Sequence, residues 1–155
     1  MAVLKEGSKA PDFTLLTNAG EKLKLSSLAG RKVVLYFYPK ADTPGCTKEA
    51  CGFRDEFAAI EGHDAAVLGV PPDPVDGVAR FKAKYNLPFP LLADEEHKVA
   101  EKYGVWVEKS MYGKSYMGVE RSTFIIGKDG KIAKIFRKVK VDGHTAEVLS
   151  ALAEA

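Results

Sequence analysis

The sequence predicts an α/β protein with a central mixed β-sheet, helices on both of its faces and an N-terminal β-hairpin. Three observations predict it. Apolar, β-prone runs at residues 33–38 and 65–70 alternate with helical stripes, as strands covered on both faces require. Lys128-Asp129-Gly130, set between two apolar runs, is a strong hairpin signal that brings antiparallel pairing into an alternating strand and helix order. Two short alternating runs flank Asn18-Ala19-Gly20 near the start.

Taken in order, Asp12-Phe13-Thr14-Leu15-Leu16 and Lys22-Leu23-Lys24-Leu25 form the opening hairpin. Residues 33–38 form a central strand, and Pro39 stops it. Thr43 is then an N-cap with Pro44 at N1, and Phe53, Phe57 and Ile60 carry one helix to near Gly62. This numbering puts Cys46 at N3. Residues 65–70 are the next strand, and Pro71-Pro72-Asp73-Pro74 is a loop into a helix through Val78, Phe81 and Tyr85. Pro88-Phe89-Pro90-Leu91-Leu92 gives a short strand or edge. Asp94 caps a helix through Val99 and Tyr103, with Gly104 at its end. Residues 104–120 show no clear period and are expected as a mostly irregular loop. The late hairpin pairs Ser122–Ile126 with Ile132–Phe136, and a last helix buries Val148, Leu149 and Leu152. No repeat, low-complexity stretch or linker interrupts residues 1–155, which read as one domain.

Composition narrows the function. The 23 basic residues are nearly matched by 21 acidic ones and are dispersed, so a formal charge of +2 argues against nucleic acid as a partner. Residues 1–6 lack the order of a secretory leader, and no apolar run is long enough to span a bilayer. The expectation is a soluble, cytoplasmic protein with no membrane partner. In that reducing compartment the two cysteines point to metal binding, catalysis or burial rather than a structural disulfide.

Cys46 and Cys51 are those two cysteines. A thiol in the first turn of a helix meets unpaired N–H groups and the positive end of the helix dipole, both of which favour thiolate. Three readings stand for Cys46: buried small hydrophobe, metal ligand and nucleophile. Metal is the weakest, because cysteines at i and i+5 point apart and His63, His97 and His144 lie far off in sequence without ligand-pair spacing. The neighbours favour the nucleophile. Pro39 and Pro44 stiffen the approach, Gly45 permits close approach of a ligand, and Thr43 offers a hydroxyl, together a small polar pocket for a compact oxygen-containing substrate. In an intact helix the two Cα atoms stand about 9 Å apart, roughly 140° around the axis. A disulfide needs less than about 7 Å. Any bond between them therefore requires the helix to unwind first.

Pro39-Lys40-Ala41-Asp42-Thr43-Pro44-Gly45-Cys46 matches the Pro-x-x-x-Thr-x-x-Cys signature of peroxiredoxins, and the stretch from Thr43 to Cys51 resembles their bacterioferritin comigratory protein, or Q-type, subgroup. The resemblance covers nearly the whole chain, including Gly7-Ser8-Lys9-Ala10-Pro11-Asp12-Phe13, Leu87-Pro88-Phe89-Pro90-Leu91-Leu92-Ala93-Asp94 and Arg121-Ser122-Thr123-Phe124. One departure is Val70-Pro71-Pro72-Asp73, where relatives usually carry a serine before Pro-Asp. The resemblance implies a thioredoxin-like fold and reduction of hydrogen peroxide or organic hydroperoxides without metal or organic cofactor. It makes Cys46 the peroxidatic nucleophile, which becomes a sulfenic acid, and Cys51 the resolving cysteine of an intramolecular disulfide. Thr43 and Arg121 would bind the peroxide with the backbone of Gly45 and Cys46, and Pro39 would shield the sulfur.

Glu49, at i+3 from Cys46, either holds Arg121 in place or is an ordinary solvated glutamate near the helix start. Trp106, Tyr112, Tyr116 and Met117 either pack locally, the preferred reading, or form an apolar collar for substrate or reductase. The expected protein is a monomeric thiol peroxidase of the atypical two-cysteine kind, recycled by thioredoxin or a similar dithiol donor. A thioredoxin-like disulfide oxidoreductase would carry Cys-x-x-Cys instead. A redox sensor or holdase using the same disulfide-coupled unfolding is the alternative.

Overall fold

A computed structural model describes residues 4–155, so the first three residues of the stretch read for a leader lie outside the described residues. In chain order these form β1 (Thr14–Thr17), β2 (Lys22–Lys24), a 3-10 helix (Leu25–Leu28), β3 (Lys32–Phe37), α1 (Pro44–Asp55), α2 (Phe57–Gly62), β4 (Ala65–Val70) and α3 (Val75–Tyr85). Then follow β5 (Leu92–Ala93), α4 (Lys98–Lys102), β6 (Trp106–Met111), β7 (Lys114–Val119), β8 (Ser122–Ile126), β9 (Ile132–Phe136) and α5 (His144–Glu154).

The central sheet runs β4-β3-β8-β9, with β3 parallel to β4 and antiparallel to β8, so it is mixed as expected. Alternation along β3 builds two cores. Val34, Tyr36 and the following Tyr38 face α1, α2, α3 and α5 through Cys46, Ala50, Phe53, Ile60, Val78, Phe81, Val148 and Leu152. Val33, Leu35 and Phe37 face the 3-10 helix and α4 through Leu25, Val99 and Ala100. Both faces are therefore covered. Phe53 is completely buried, with its ring 4.8 Å from that of Tyr36. Truncating such a side chain costs about 3–5 kcal/mol, so this contact fixes α1 against the sheet. The N-terminal hairpin pairs Thr14 with Lys24, and β5 extends it to a separate sheet, β2-β1-β5.

Three details differ from the sequence reading. The helix expected to reach Gly62 without interruption breaks at Glu56 (φ −104°, ψ 12°). No proline or glycine marks this break, and Ile60 keeps the apolar stripe on the same core, so periodicity alone runs across it. Asp94 does cap α4, its two carboxylate oxygens accepting from the N–H groups of Val99 (3.2 Å) and Ala100 (2.9 Å), although left-handed His97 occupies the N-cap position itself.

Residues 104–120 hold the largest correction: they are a regular antiparallel hairpin, β6 paired with β7 from Trp106↔Val119 to Met111↔Lys114. Tyr112 (φ 53°) and Gly113 (φ 77°) make its two-residue left-handed turn. Most of the hairpin stands away from both cores, so neither face needs an apolar alternation that sequence could display. The local-packing reading holds for Trp106, which stacks on His97 at 3.8 Å, and fails for Tyr112, Tyr116 and Met117, which are exposed.

Candidate active site

β3 delivers the chain to half-buried Pro39, and the loop that follows is pinned from two sides. The Ala41 N–H donates to Asp73 Oδ1 at 3.1 Å, while the carboxylate of Asp42, itself left-handed at φ 58°, accepts from Lys84 Nζ and Tyr85 Oη, each at 2.8 Å. Those two hydrogen bonds hold the Asp42 pKa below the usual carboxylate value. The loop therefore arrives at α1 in a set direction.

Thr43 is the N-cap in extended conformation (φ −99°, ψ 157°), Pro44 opens the helix, and Cys46 falls at N3. The first turn closes through the Thr47 N–H and the Thr43 carbonyl at 2.8 Å. Thr43 does not cap with its side chain; its hydroxyl donates instead to the Lys40 carbonyl at 2.9 Å. That bond uses the hydroxyl proton, so toward any further partner the oxygen can only accept.

Cys46 is 1% exposed. Arg121, placed just ahead of β8, divides its guanidinium between two partners: Nη2 donates to Cys46 Sγ at 3.2 Å and Nη1 to Glu49 Oε1 at 2.7 Å. The Val139 N–H donates to the Arg121 carbonyl at 2.9 Å and fixes its backbone. Gly45 leaves the room this fork needs, because a Cβ there would lie 3.2 Å from Arg121 Nη2. The geometry thus joins Cys46, Gly45, Glu49 and Arg121 directly, with Thr43 in the same first turn.

Glu49 is 3% exposed, which overturns the solvated reading. Burial pushes its pKa up to about 7, and the charge and hydrogen bond of Arg121 only partly oppose it. For Arg121 burial works against the charge, but Glu49 and Cys46 hold its pKa above the usual guanidinium value. Glu49 Oε2 has no hydrogen-bond partner, nor do the buried hydroxyls of Tyr36 and Tyr38, whose pKa values burial raises well above the ordinary phenol. Three buried polar atoms thus lack protein partners.

Cys51 is half-buried further along the unbroken α1, and both thiols are free. The structure therefore holds the two cysteines at helical spacing, about 9 Å between Cα atoms. Sequence reasoning missed several contributors to the site. Asp73 lies in the stretch that departs from the family pattern, and its anchoring bond spans 32 residues, so no local signal shows it. Tyr36 reads as plain core. Its ring crosses the backbone at Gly69, where a Cβ would meet Tyr36 Oη at 2.9 Å, and that glycine inside a strand was the available clue.

The chain is similar to known proteins along nearly its whole length. The AhpC/TSA family profile matches residues 7–135. Peroxiredoxin Bcp of Bacillus subtilis is 53% identical over 146 residues, covering 94% of this chain and 93% of its own. The fold of a Cys-to-Ser mutant of Xylella fastidiosa PrxQ superposes with a TM-score of 0.93 at 35% identity, over 99% of this chain and 98% of that one. The Xanthomonas campestris bacterioferritin comigratory protein, described by its alkyl peroxide reduction activity, superposes with a TM-score of 0.90 at 38% identity, over 99% and 98% of the two chains.

Proposed function

The chain belongs to the AhpC/TSA family as a peroxiredoxin of the Bcp/Q type, a thiol peroxidase with a thioredoxin-like fold, and on that premise we propose that Cys46 is its peroxidatic nucleophile and Cys51 its resolving partner. The observation that carries this reading is the guanidinium fork, which sets Arg121 Nη2 3.2 Å from Cys46 Sγ in a water-poor first turn.

The chemistry follows from that placement. The sulfur attacks the terminal oxygen of a hydroperoxide; an S–O bond forms as the O–O bond breaks, and the leaving oxygen takes a proton to depart as water or alcohol. Sulfur is oxidised by two electrons to a sulfenic acid. Thr43, its proton engaged with Lys40, accepts from the peroxide O–H and so orients it, while Arg121 and the N–H groups of the first turn face the oxygens that gain charge. Glu49 keeps the guanidinium plane turned toward the sulfur. Pro39 walls the site from solvent.

Resolution requires the first turns of α1 to unwind so that the Cys51 thiol reaches the sulfenic acid, releasing water and forming the disulfide. A dithiol donor, for which thioredoxin is the natural choice, then reduces that disulfide by exchange. Both cysteines lie in one helix, so the cycle asks for no second subunit and a monomer suffices.

The test couples NADPH oxidation to thioredoxin reductase, thioredoxin and peroxide, comparing the parent with Cys46→Ser and Cys51→Ser. Loss of turnover in both supports the assignment. Loss only with Cys46→Ser keeps the peroxidase but removes Cys51 from its role. Hydrogen exchange on the oxidised form checks the unwinding: protection should vanish from the first turns of α1, and an unchanged helix with the disulfide formed would refute it.

A further inference from the structure

We propose that the face of the β6–β7 hairpin that bears Lys109 and Lys114 is the docking surface for an acidic dithiol protein, the one that reduces the enzyme. The proposal rests on the reading that the Cys46 cycle is turned over by a thiol reductant.

Register defines the face. Lys109 is paired with Tyr116 and Met111 with Lys114, so these four side chains share one side, and Gly118 leaves the notch over which Lys109 lies, its Cδ 3.4 Å from where a Cβ would stand. The hairpin adjoins the active site through its end, since Arg121, which donates to Cys46 Sγ, follows β7 closely. The Lys109 ammonium is held below the usual lysine range by partial burial first and then by Arg121, with Cys46 and Glu120 pulling the other way, and β7 leads within two residues of its end to Arg121 itself. Met111 is 55% exposed, Tyr116 45% and Tyr112, at the turn, 97%. Large apolar side chains held this far out on a two-stranded arm cost solubility and contribute nothing to either core.

Charge selects the occupant. By register the side that bears Lys109 and Lys114 carries no carboxylate, Glu108 being paired with Met117 on the opposite side, and neither lysine forms a salt bridge among the described residues. The Val139 N–H that holds the Arg121 carbonyl is flanked in the chain by exposed Lys138 and Lys140, also without salt-bridge partners among the described residues. An apolar patch flanked by Lys109 and Lys114, on a hairpin whose end leads to Arg121, fits an acidic protein whose own thiol must reach the Cys46–Cys51 bond.

The experiment uses the full chain and a thioredoxin of net negative charge as the probe. Two double variants, Lys109→Glu with Lys114→Glu and Met111→Ser with Tyr112→Ser, are compared with the parent in three assays. These are kcat/KM for thioredoxin at low and high salt, turnover driven by dithiothreitol, and the single-turnover rate with peroxide. The charge variant should lose about tenfold in kcat/KM for thioredoxin at low salt and less at high salt, and the apolar variant several-fold at both. Dithiothreitol turnover and the peroxide step should stay within about twofold of the parent, which also reports that the variants fold. Unchanged thioredoxin kinetics would overturn the proposal. So would a fall confined to the peroxide step, which would make the face a substrate wall. If the parent turns over with neither dithiol, the thiol-reductant reading fails and takes the proposal with it.

Discussion

Replacing Glu49 by glutamine should flatten the dependence of stability on pH in a defined window. The Glu49 pKa rises from 4.5 in the unfolded chain to about 7 in the fold, chiefly because burial penalises the carboxylate. Between those values the folded protein holds a proton that the unfolded chain has released. A raised pKa of this kind gives stability that is complete below the unfolded value and is lost as pH climbs through the folded one. At about 1.36 kcal/mol per pKa unit the loss is roughly 3 kcal/mol. Urea unfolding of the reduced protein at intervals from pH 4.5 to 8 measures it. Over that range the parent should lose roughly 3 kcal/mol more than Glu49→Gln, whose amide still offers an oxygen to Arg121 Nη1. Other groups titrate in the same window, among them His144, whose pKa burial lowers, so the difference between the two proteins is the quantity to read. Identical pH profiles would mean that Arg121 fully compensates the buried charge, and the reasoning from burial would be wrong.

Arg121→Ala should slow the single-turnover reaction with peroxide roughly a hundredfold, more than the change in Cys46 ionisation accounts for; rates divided by the measured thiolate fraction that match the parent would show that the arginine acts on the sulfur alone. Gly45→Ala should push the guanidinium, 3.2 Å from the added methyl, off the sulfur by a few tenths of an ångström, lowering the peroxide rate several-fold while the melting temperature holds or rises, since alanine suits a helix better by about 1 kcal/mol. Gly69→Ala has no such freedom, because its methyl would meet Leu91 at 2.8 Å and the Tyr36 ring at 2.9 Å; overpacking should cost about 1–3 kcal/mol in urea unfolding.

What could be read from the chain was whatever the core or a local turn enforces. β3, β4, α3 and the late hairpin were legible because burial on both faces, a 3.6-residue stripe and Lys128-Asp129-Gly130 are written within a few neighbouring residues. Cys46 at N3 followed from Thr43 and Pro44 in the same way. The β6–β7 hairpin escaped because most of its residues answer to no core, and only Gly113 hints at the turn. Glu49 was ambiguous for a related reason: a glutamate near a helix start is usually solvated, and its burial depends on Arg121, 72 residues later. Asp73 escaped entirely, since its partner is a backbone N–H that carries no sequence identity.

The proposed cycle asks the same helix to hold Cys46 rigidly for attack and then let it go, and the distribution of contacts along α1 is compatible with both. Beyond Cys51 the helix is locked: Phe53 is wholly buried against Tyr36, and Gly52 runs so close to α5 that a Cβ would meet Thr145 Oγ1 at 2.8 Å. Before Cys51 the anchors are weaker. Pro44 and Lys48 are exposed, Thr47 is half-buried and Ala50 is small, which leaves the Arg121 fork on Cys46 and Glu49 as the main hold, with the second Glu49 oxygen lacking a partner. Unwinding from Pro44 as far as Cys51 thus leaves the Phe53 anchor in place. It also returns the Glu49 carboxylate to water, so the roughly 3 kcal/mol that its ionisation withholds from the closed form favours opening as pH rises through about 7. The buried Glu49 beside Cys46 thus orients Arg121 while the helix is closed and, once ionised, favours its opening.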